Sequence, residues 1–249
     1  MAIDFSGPRL KIERAEKHIQ DLDAAIRTFC DSEETYTLAP KDYPEISHVG
    51  LQVDYVRPIP DCIALGIGDA VHNLRSSLDH LAWQLVETGG GKPGKDTYFP
   101  ICQSPQQYTS AIGKGEIGKM RIGTHKILEA VQPYPTRDQT LWYIHDLDRI
   151  DKHRLILTIV GVMKDWNVRL GSGNIQFPVM PGEPLVRGYE VLRLPTSTYE
   201  RHPHKDFQLG LDITFGQSEI VAGKPVLEML DGMTKLVSKV VSKFEPFLV

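Results

Sequence analysis

One long amphipathic segment, residues 61–87, constrains the fold of this chain more than any other feature. Pro58 and Pro60 precede it, and a glycine run at 89–91 ends it. Successive residues of an ideal helix turn by about 100°. With that rotation, five large aliphatic residues share one stripe: Ile67, Leu74, Leu78, Leu81 and Leu85. The stripe predicts a long helix whose apolar face packs against other helices.

The opposite side of the same predicted helix has an unusual composition. An ordinary solvated helix face is rich in lysine and glutamate. This one instead combines acid, histidine, serine, asparagine and arginine side chains, which can donate or accept hydrogen bonds and exchange protons. Its members are Asp69, His72, Ser76, Asp79, His80 and Trp83, with Asn73 and Arg75 flanking them. We therefore expect the functional chemistry of the chain to lie on this helix.

The remaining periodicity separates a helical part of the chain from a β-rich part. Apolar residues at helical spacing predict further helices, over 9–30, after Pro105, and over 118–131, 138–157 and 226–244. Alternating apolar and polar residues predict strands, over 47–56, 166–170, 175–179, 185–194 and 207–215.

These elements predict an α+β fold. A helical bundle, about 8–158 plus 224–246, would carry a small antiparallel β-sheet, about 160–216, inserted before the C-terminal helix. Because that last helix must return to the bundle, we expect a single interlocked domain over 1–249.

Composition narrows the class of protein. The 249 residues carry a net charge of −4, which gives no overall attraction to nucleic acid but is compatible with a local basic patch. The three cysteines form no CxxC pair and suit a reducing compartment, so we expect a cytoplasmic protein. Residues 1–8 lack the apolar core of a signal peptide, and no apolar run of 18 residues occurs, so we expect no membrane association.

A second polar cluster occupies residues 141–155. Asp148 and Asp151 fall on the helical face that Ile144 and Leu147 define, where an unpaired carboxylate is costly to bury. At least one of them is therefore expected to contact the polar side of the long helix. The candidate partners there are Arg75, His72 and His80.

The same cluster has a simpler structural interpretation. An ion pair between Asp148 or Asp151 and the long helix would fix the packing of two helices without any chemistry. His153 lies in a run of three cations near the expected C-terminal turn, where positive charge suits the helix dipole.

Arg75 and His80 enclose four residues inside the long helix. This spacing resembles the R-x(4–6)-H motif of the HEPN superfamily, whose domains are helical bundles that commonly dimerise and many of which are metal-independent ribonucleases. The resemblance departs from the family at Ser76, where the residue after the arginine is usually a polar one such as asparagine. It covers about 30 residues and none of 160–216. The wider pattern also resembles uncharacterised bacterial proteins of similar length.

The resemblance implies a role for each residue. Arg75 would stabilise charge on an RNA phosphodiester and His80 would act as general acid or base, at a cleft between two copies of the chain. The implied catalytic set is Arg75, His80, Ser76 and Asp79. A supporting polar network would comprise His72, Asn73, Asp148, Asp151 and His153. Cleavage by the adjacent 2′-hydroxyl requires only proton transfer and charge stabilisation, so no metal or cofactor is expected.

Two alternatives use the same side chains. In the first, Arg75 and His80 belong to a non-catalytic polar network, and the sheet binds a ligand or partner. In the second, the protein is a metal-dependent hydrolase whose histidines and aspartates meet inside the bundle. Its candidate ligands are His72, Asp79, His80, His145, Asp148 and Asp151. The chain contains neither HExxH nor a paired Glu-x-x-His, the motifs typical of such sites.

Overall fold

The structure, a computed structural model, describes residues 6–114, 120, 123–136, 138–156, 158–162, 165–170, 173–178, 184–201, 207–216 and 221–248. Its helices are α1 (Gly7–Cys30), α2 (Asp61–Thr88), α3 (Pro105–Lys114), α4 (Thr124–Val131), α5 (Thr140–Asp151), α6 (Thr196–Arg201) and α7 (Val226–Phe244). Its strands are β1 (Tyr36–Tyr43), β2 (His48–Val56), β3 (Thr158–Val162), β4 (Asp165–Leu170), β5 (Gly173–Pro178), β6 (Glu190–Pro195), β7 (Phe207–Gln208) and β8 (Leu211–Phe215). The predicted α+β class is confirmed.

Two compact units, each assembled from separate segments, make up the chain. The helical unit comprises Met1–Leu22, Ala64–Ile156 and Leu227–Val249. The β-rich unit comprises Asp23–Ile63 and Leu157–Val226. The single interlocked domain over 1–249 stays a prediction. Among the described residues, no helix has the length and apolar character needed to span a bilayer.

The helical unit is a bundle organised around α2. All five aliphatic residues of the predicted stripe are fully buried, and each such side chain contributes about 1.5–3 kcal/mol relative to exposure. α1 runs antiparallel to α2, as contacts at both ends show. The Ser77 hydroxyl donates to the Pro8 carbonyl (2.8 Å) at one end, and Leu22 packs against Gly66 at the other. The C-terminal end of α7 lies beside the N-terminal end of α1, where Glu245 binds Arg9.

α5 also lies antiparallel to α2, and a glycine allows the close approach. A Cβ atom built on Gly68 would lie 2.7 Å from Asp151 Oδ2 and closer still to Oδ1. The Asp151 carboxylate therefore occupies the space that a side chain at position 68 would need. Gly68 is buried at this crossing, whereas Asp151 is half-exposed, so a methyl group at position 68 would have to displace the Asp151 carboxylate.

Gly68→Ala is expected to destabilise the protein by about 1–3 kcal/mol, because the added methyl group overpacks the crossing of α2 and α5. The matched control is Gly232→Ala in α7, where a Cβ would meet nothing within 4 Å. That substitution should stabilise the helix by up to about 1 kcal/mol. Urea denaturation measures both. The double variant Gly68→Ala/Asp151→Ala removes the clashing atoms and should recover stability; no recovery would contradict the packing argument.

Among its described residues, the β-rich unit contains three antiparallel sheets, ordered β1-β2-β6, β3-β8 and β5-β4-β7. The sheet material is therefore not confined to the predicted 160–216 region, since β1 and β2 precede α2 and pair with β6. β1 was not predicted because Pro40, Lys41 and Asp42 interrupt its pattern. It is an edge strand, and an edge tolerates proline and charge. β2 was predicted, and its alternating residues Val49, Leu51 and Val53 are buried.

Several predicted boundaries differ from those observed. α5 ends at Asp151 and not at 157, because the following residues form a turn in which the His153 N–H donates to the Ile150 carbonyl. The strand predicted over 185–194 begins only at Glu190, and the strand over 207–215 divides into β7 and β8. The short α6 was not predicted. Parts of the predicted segments lie outside the described residues. These parts are 118–119, 121–122, 157, 163–164, 171–172, 179–183 and 202–206.

Candidate functional site

Arg75 is a buried charged group of the helical unit, and its guanidinium is held by contacts on α2 and on the segment that follows it. It is only 7% exposed. Its Nη1 atom lies 3.0 Å from Asp79 Oδ1, one helical turn further along α2, and its Nη2 atom donates to the Phe99 carbonyl at 3.1 Å. The same Asp79 oxygen accepts a hydrogen bond from the Phe99 N–H at 2.9 Å. The pair therefore binds both backbone polar groups of Phe99 and holds the segment after α2 against the helix.

The electrostatics of this pair reflect its burial. Burial lowers the pKa of Arg75, and the nearby carboxylates of Asp79 and Asp148 oppose that change; the guanidinium nevertheless remains charged. Burial raises the pKa of Asp79, and Arg75 opposes that shift. Within the described part of the chain, Arg75 Nη1 has an ion-pair contact but no well-aligned hydrogen bond. One donor of the guanidinium is therefore incompletely used.

Asp148 confirms the predicted contact between the second polar cluster and α2. It is buried, and its carboxylate contacts His72 Nδ1 at 2.9 Å and Lys152 Nζ at 2.6 Å. The partner on α2 is therefore His72, not Arg75 or His80. Asp151 differs, since it is half-exposed, lies over Gly68 and has no ion pair among the described contacts. Burial and the neighbouring charge of Asp148 raise the pKa of Asp151.

A cleft of about 770 Å³ opens beside this network. Its lining residues with a carboxylate, imidazole, ammonium or guanidinium group are Arg75, Asp79, Asp96, His145, Asp148, Arg149 and Lys152. The α5 contribution follows helical spacing, because residues 145, 148, 149 and 152 share one face. Arg149 binds Asp146 and Lys152 binds Asp148, so the cations at the rim are already paired. The cleft thus combines near-neutral charge with a deeply placed arginine.

His145 is the histidine that lines this cleft. Burial lowers its pKa, and the positive charge of Arg75 lowers it further, so the ring is neutral at neutral pH. Its Nδ1 atom is buried and has no hydrogen-bond partner among the described residues. The ring stacks obliquely near Trp142, with centroids 5.4 Å apart. The sequence pattern identified His145 only as a candidate metal ligand, although its spacing from Asp148 and Lys152 indicates that the three residues share one helix face.

His80 does not line the same cleft. Five residues of helix rotate the side chain by about 140° from Arg75, and His80 instead lines a second cavity of about 510 Å³ with Trp83 and Tyr98. Burial lowers its pKa, and Lys11 lowers it further. Within one chain, the spacing of Arg75 and His80 therefore does not bring them to one cleft.

The other predicted site residues lie outside the large cleft. Ser76 is half-buried, with its hydroxyl 3.4 Å from His72 Nε2. Asn73 is buried and donates to the Asp69 carbonyl at 2.8 Å, a local contact within the helix. His153 is exposed in the turn after α5. Of the predicted set, only Arg75, Asp79 and Asp148 share the cleft.

The metal-dependent alternative needs a cluster of ligands. Within the described ranges, no group of three histidine, cysteine, aspartate or glutamate residues is arranged to hold a metal ion. His72 and Asp148 meet as a pair, but His145 and His80 lie in separate cavities. The described residues therefore give this alternative no support.

The lowered pKa of the half-buried His145 predicts a dependence of stability on pH. Its pKa is lower in the folded chain than in the unfolded chain, so the unfolded state binds more protons as the pH falls below the ordinary histidine value. The free energy of unfolding should therefore decrease between pH 7 and pH 5. Denaturant titrations at both pH values test this, and His145→Gln should decrease less than wild type. Equal slopes in the two proteins would contradict it.

Comparison of the chain with protein-family models, with curated proteins and with solved structures finds no match. In the larger of the two cavities described beside α2, Arg75 supplies a cation and His145 a neutral imidazole.

Proposed function

We propose that this chain is a HEPN-like RNA-binding protein that cleaves RNA without a metal at the cleft beside α2. The observation that carries the proposal is the guanidinium of Arg75, which Asp79 and the Phe99 carbonyl orient at the wall of an open cleft. A pre-oriented guanidinium suits the planar binding of a phosphodiester and needs little rearrangement as charge develops.

The reaction needs a proton acceptor near the arginine. A neutral histidine would remove the 2′-hydroxyl proton as that oxygen attacks phosphorus, and the 5′-oxygen would leave with a proton from a second donor. The products would be a 2′,3′-cyclic phosphate and a 5′-hydroxyl. The R-x4-H motif assigns the proton transfer to His80, whereas the shared cleft with Arg75 favours His145.

The proposal includes a homodimer and a cytoplasmic location. The resemblance to HEPN domains, which commonly dimerise, supports the homodimer, in which a second copy would bring another set of Arg75 and His80 side chains to a common interface. The three free cysteines, Cys30, Cys62 and Cys102, support a reducing compartment. Sedimentation of the purified chain tests the dimer directly.

The cleavage test uses single-stranded and structured RNA in excess chelator. Wild type should release cyclic-phosphate ends, and Arg75→Ala should reduce the rate by about 100-fold or more. Arg27→Ala, which removes an exposed arginine from α1, is the matched control and should cleave normally. Arg75→Lys retains the charge without the planar fork and should recover little activity. No binding and no cleavage by folded wild type would reject the proposal.

A second candidate is a non-catalytic function, favoured by the burial of Arg75. Only 7% of the residue is exposed, and Arg75 and its partner Asp79 each bind the Phe99 backbone and so fasten it to α2. In this case the cleft binds a ligand and the Arg75–Asp79 pair maintains its shape. Loss of thermal stability in Arg75→Ala, together with an RNA-inactive wild type, would support this candidate.

A further inference from the structure

The second cavity beside α2 has a lining unlike that of the large cleft. It measures about 510 Å³, within the range of small-ligand sites. Two aromatic residues line it, Trp83 near the end of α2 and Tyr98 in the following segment. Trp83 is 44% exposed and Tyr98 is 55% exposed, so both offer ring surface to solvent. Exposed aromatic rings at a cavity are typical of sites that stack on flat ligands.

Polar groups at the same cavity suit a heteroaromatic ring that carries phosphate. Lys95 is exposed and supplies a cation. His80 has a lowered pKa and also lines the cavity, where a neutral imidazole both donates and accepts a hydrogen bond. Asp79 and Tyr98 line this cavity and the large cleft alike, so the two are neighbours on one surface.

We propose that the cavity lined by Trp83, Tyr98 and His80 is a nucleobase subsite, which holds an unpaired base while the adjoining phosphate reaches the cleft of Arg75. This inference rests on the proposed function and deepens it, because a stacked base must be unpaired. The substrate class is therefore single-stranded RNA, recognised by one flipped or terminal base. His80 acts here as a binding residue for the base edge.

The subsite is tested by binding adenosine 5′-monophosphate and ribose 5-phosphate to the full chain by calorimetry. The two probes share the phosphate and differ in the base. Wild type should bind the nucleotide at least about tenfold more tightly, since stacking on an aromatic side chain commonly supplies that factor. Trp83→Ala should abolish the difference, whereas Trp83→Phe retains a ring and should keep most of it.

Two further variants complete the test. Tyr98→Ala should also weaken nucleotide binding without changing the affinity for ribose 5-phosphate. This variant tests the subsite even if Trp83→Ala folds poorly. Tyr55→Ala removes a comparably exposed aromatic residue that lines neither cavity, so it should bind both probes as wild type does. Equal affinity of wild type for the two probes, or unchanged nucleotide binding in Trp83→Ala and Tyr98→Ala, would overturn the inference.

The subsite and the proposed function fail in distinguishable ways. Metal-independent RNA cleavage with an unchanged KM in Trp83→Ala would reject the subsite and leave the cleavage proposal intact. Trp83-dependent nucleotide binding in a chain that neither binds nor cleaves RNA would support the subsite and reject the RNA function. The inference also expects an unpaired oligonucleotide to bind more tightly than the same sequence in a duplex, and the reverse order would count against it.

Discussion

Asp79→Ala is expected to lower the free energy of unfolding by about 3–5 kcal/mol. Arg75 is 7% exposed, and its guanidinium lies 3.0 Å from the Asp79 carboxylate. Removing the carboxylate leaves a buried positive charge without its partner on α2. The Phe99 N–H also loses its acceptor, and an unpartnered buried donor adds to the cost. Urea denaturation monitored by circular dichroism measures the change.

Two comparisons separate this cost from the loss of an ordinary ion pair. Asp23→Ala breaks an arginine–aspartate pair of the same i,i+4 spacing on the exposed side of α1 and should leave stability nearly unchanged. Arg75→Met in the Asp79→Ala background removes the stranded charge and should recover part of the loss. If Asp79→Ala were as mild as Asp23→Ala, the Arg75 pair would not be a buried one in solution.

For the proposed cleavage of RNA, His145→Ala is expected to lower kcat by about 10²–10⁴-fold, the usual contribution of a general acid or base. We expect this large effect because His145 lies in the same cleft as Arg75 and its ring is neutral. His80→Ala should mainly raise KM, because His80 lines the neighbouring cavity. Single-turnover and steady-state kinetics on the same RNA separate the two effects.

The pH profile gives an independent readout of the same assignment. A general base works in its deprotonated form, and burial and Arg75 lower the pKa of His145. Cleavage should therefore persist to a lower pH than a histidine of ordinary pKa would allow. A large loss of kcat in His80→Ala with little effect of His145→Ala would instead support the motif assignment, with His80 acting across a dimer interface.

Local periodicity was sufficient to predict the elements around the site. The apolar stripe of α2 is buried as its spacing required, and the alternation of β2 identifies a strand with one buried face. The unfavourable burial of an unpaired carboxylate also predicted that the 141–155 cluster would contact α2, and Asp148 does so through His72. Each of these predictions depends on a property of residues that are close together in the sequence. The property is a repeat of 3.6 or 2 residues, or the cost of burying a charge.

The tertiary structure alone decided which polar residues meet. Arg75 is buried because the aperiodic segment at Phe99 closes over it, and no local pattern in that segment indicates such a contact. Spacing along α2 suggested that Arg75 and His80 act together, but the helix rotates them into two cavities, and α5 supplies His145 to the cleft of Arg75. The sequence by itself determined the helices and their buried faces, because these depend on short-range periodicity. The composition of the site depended on long-range packing, which the periodicity of single elements does not encode.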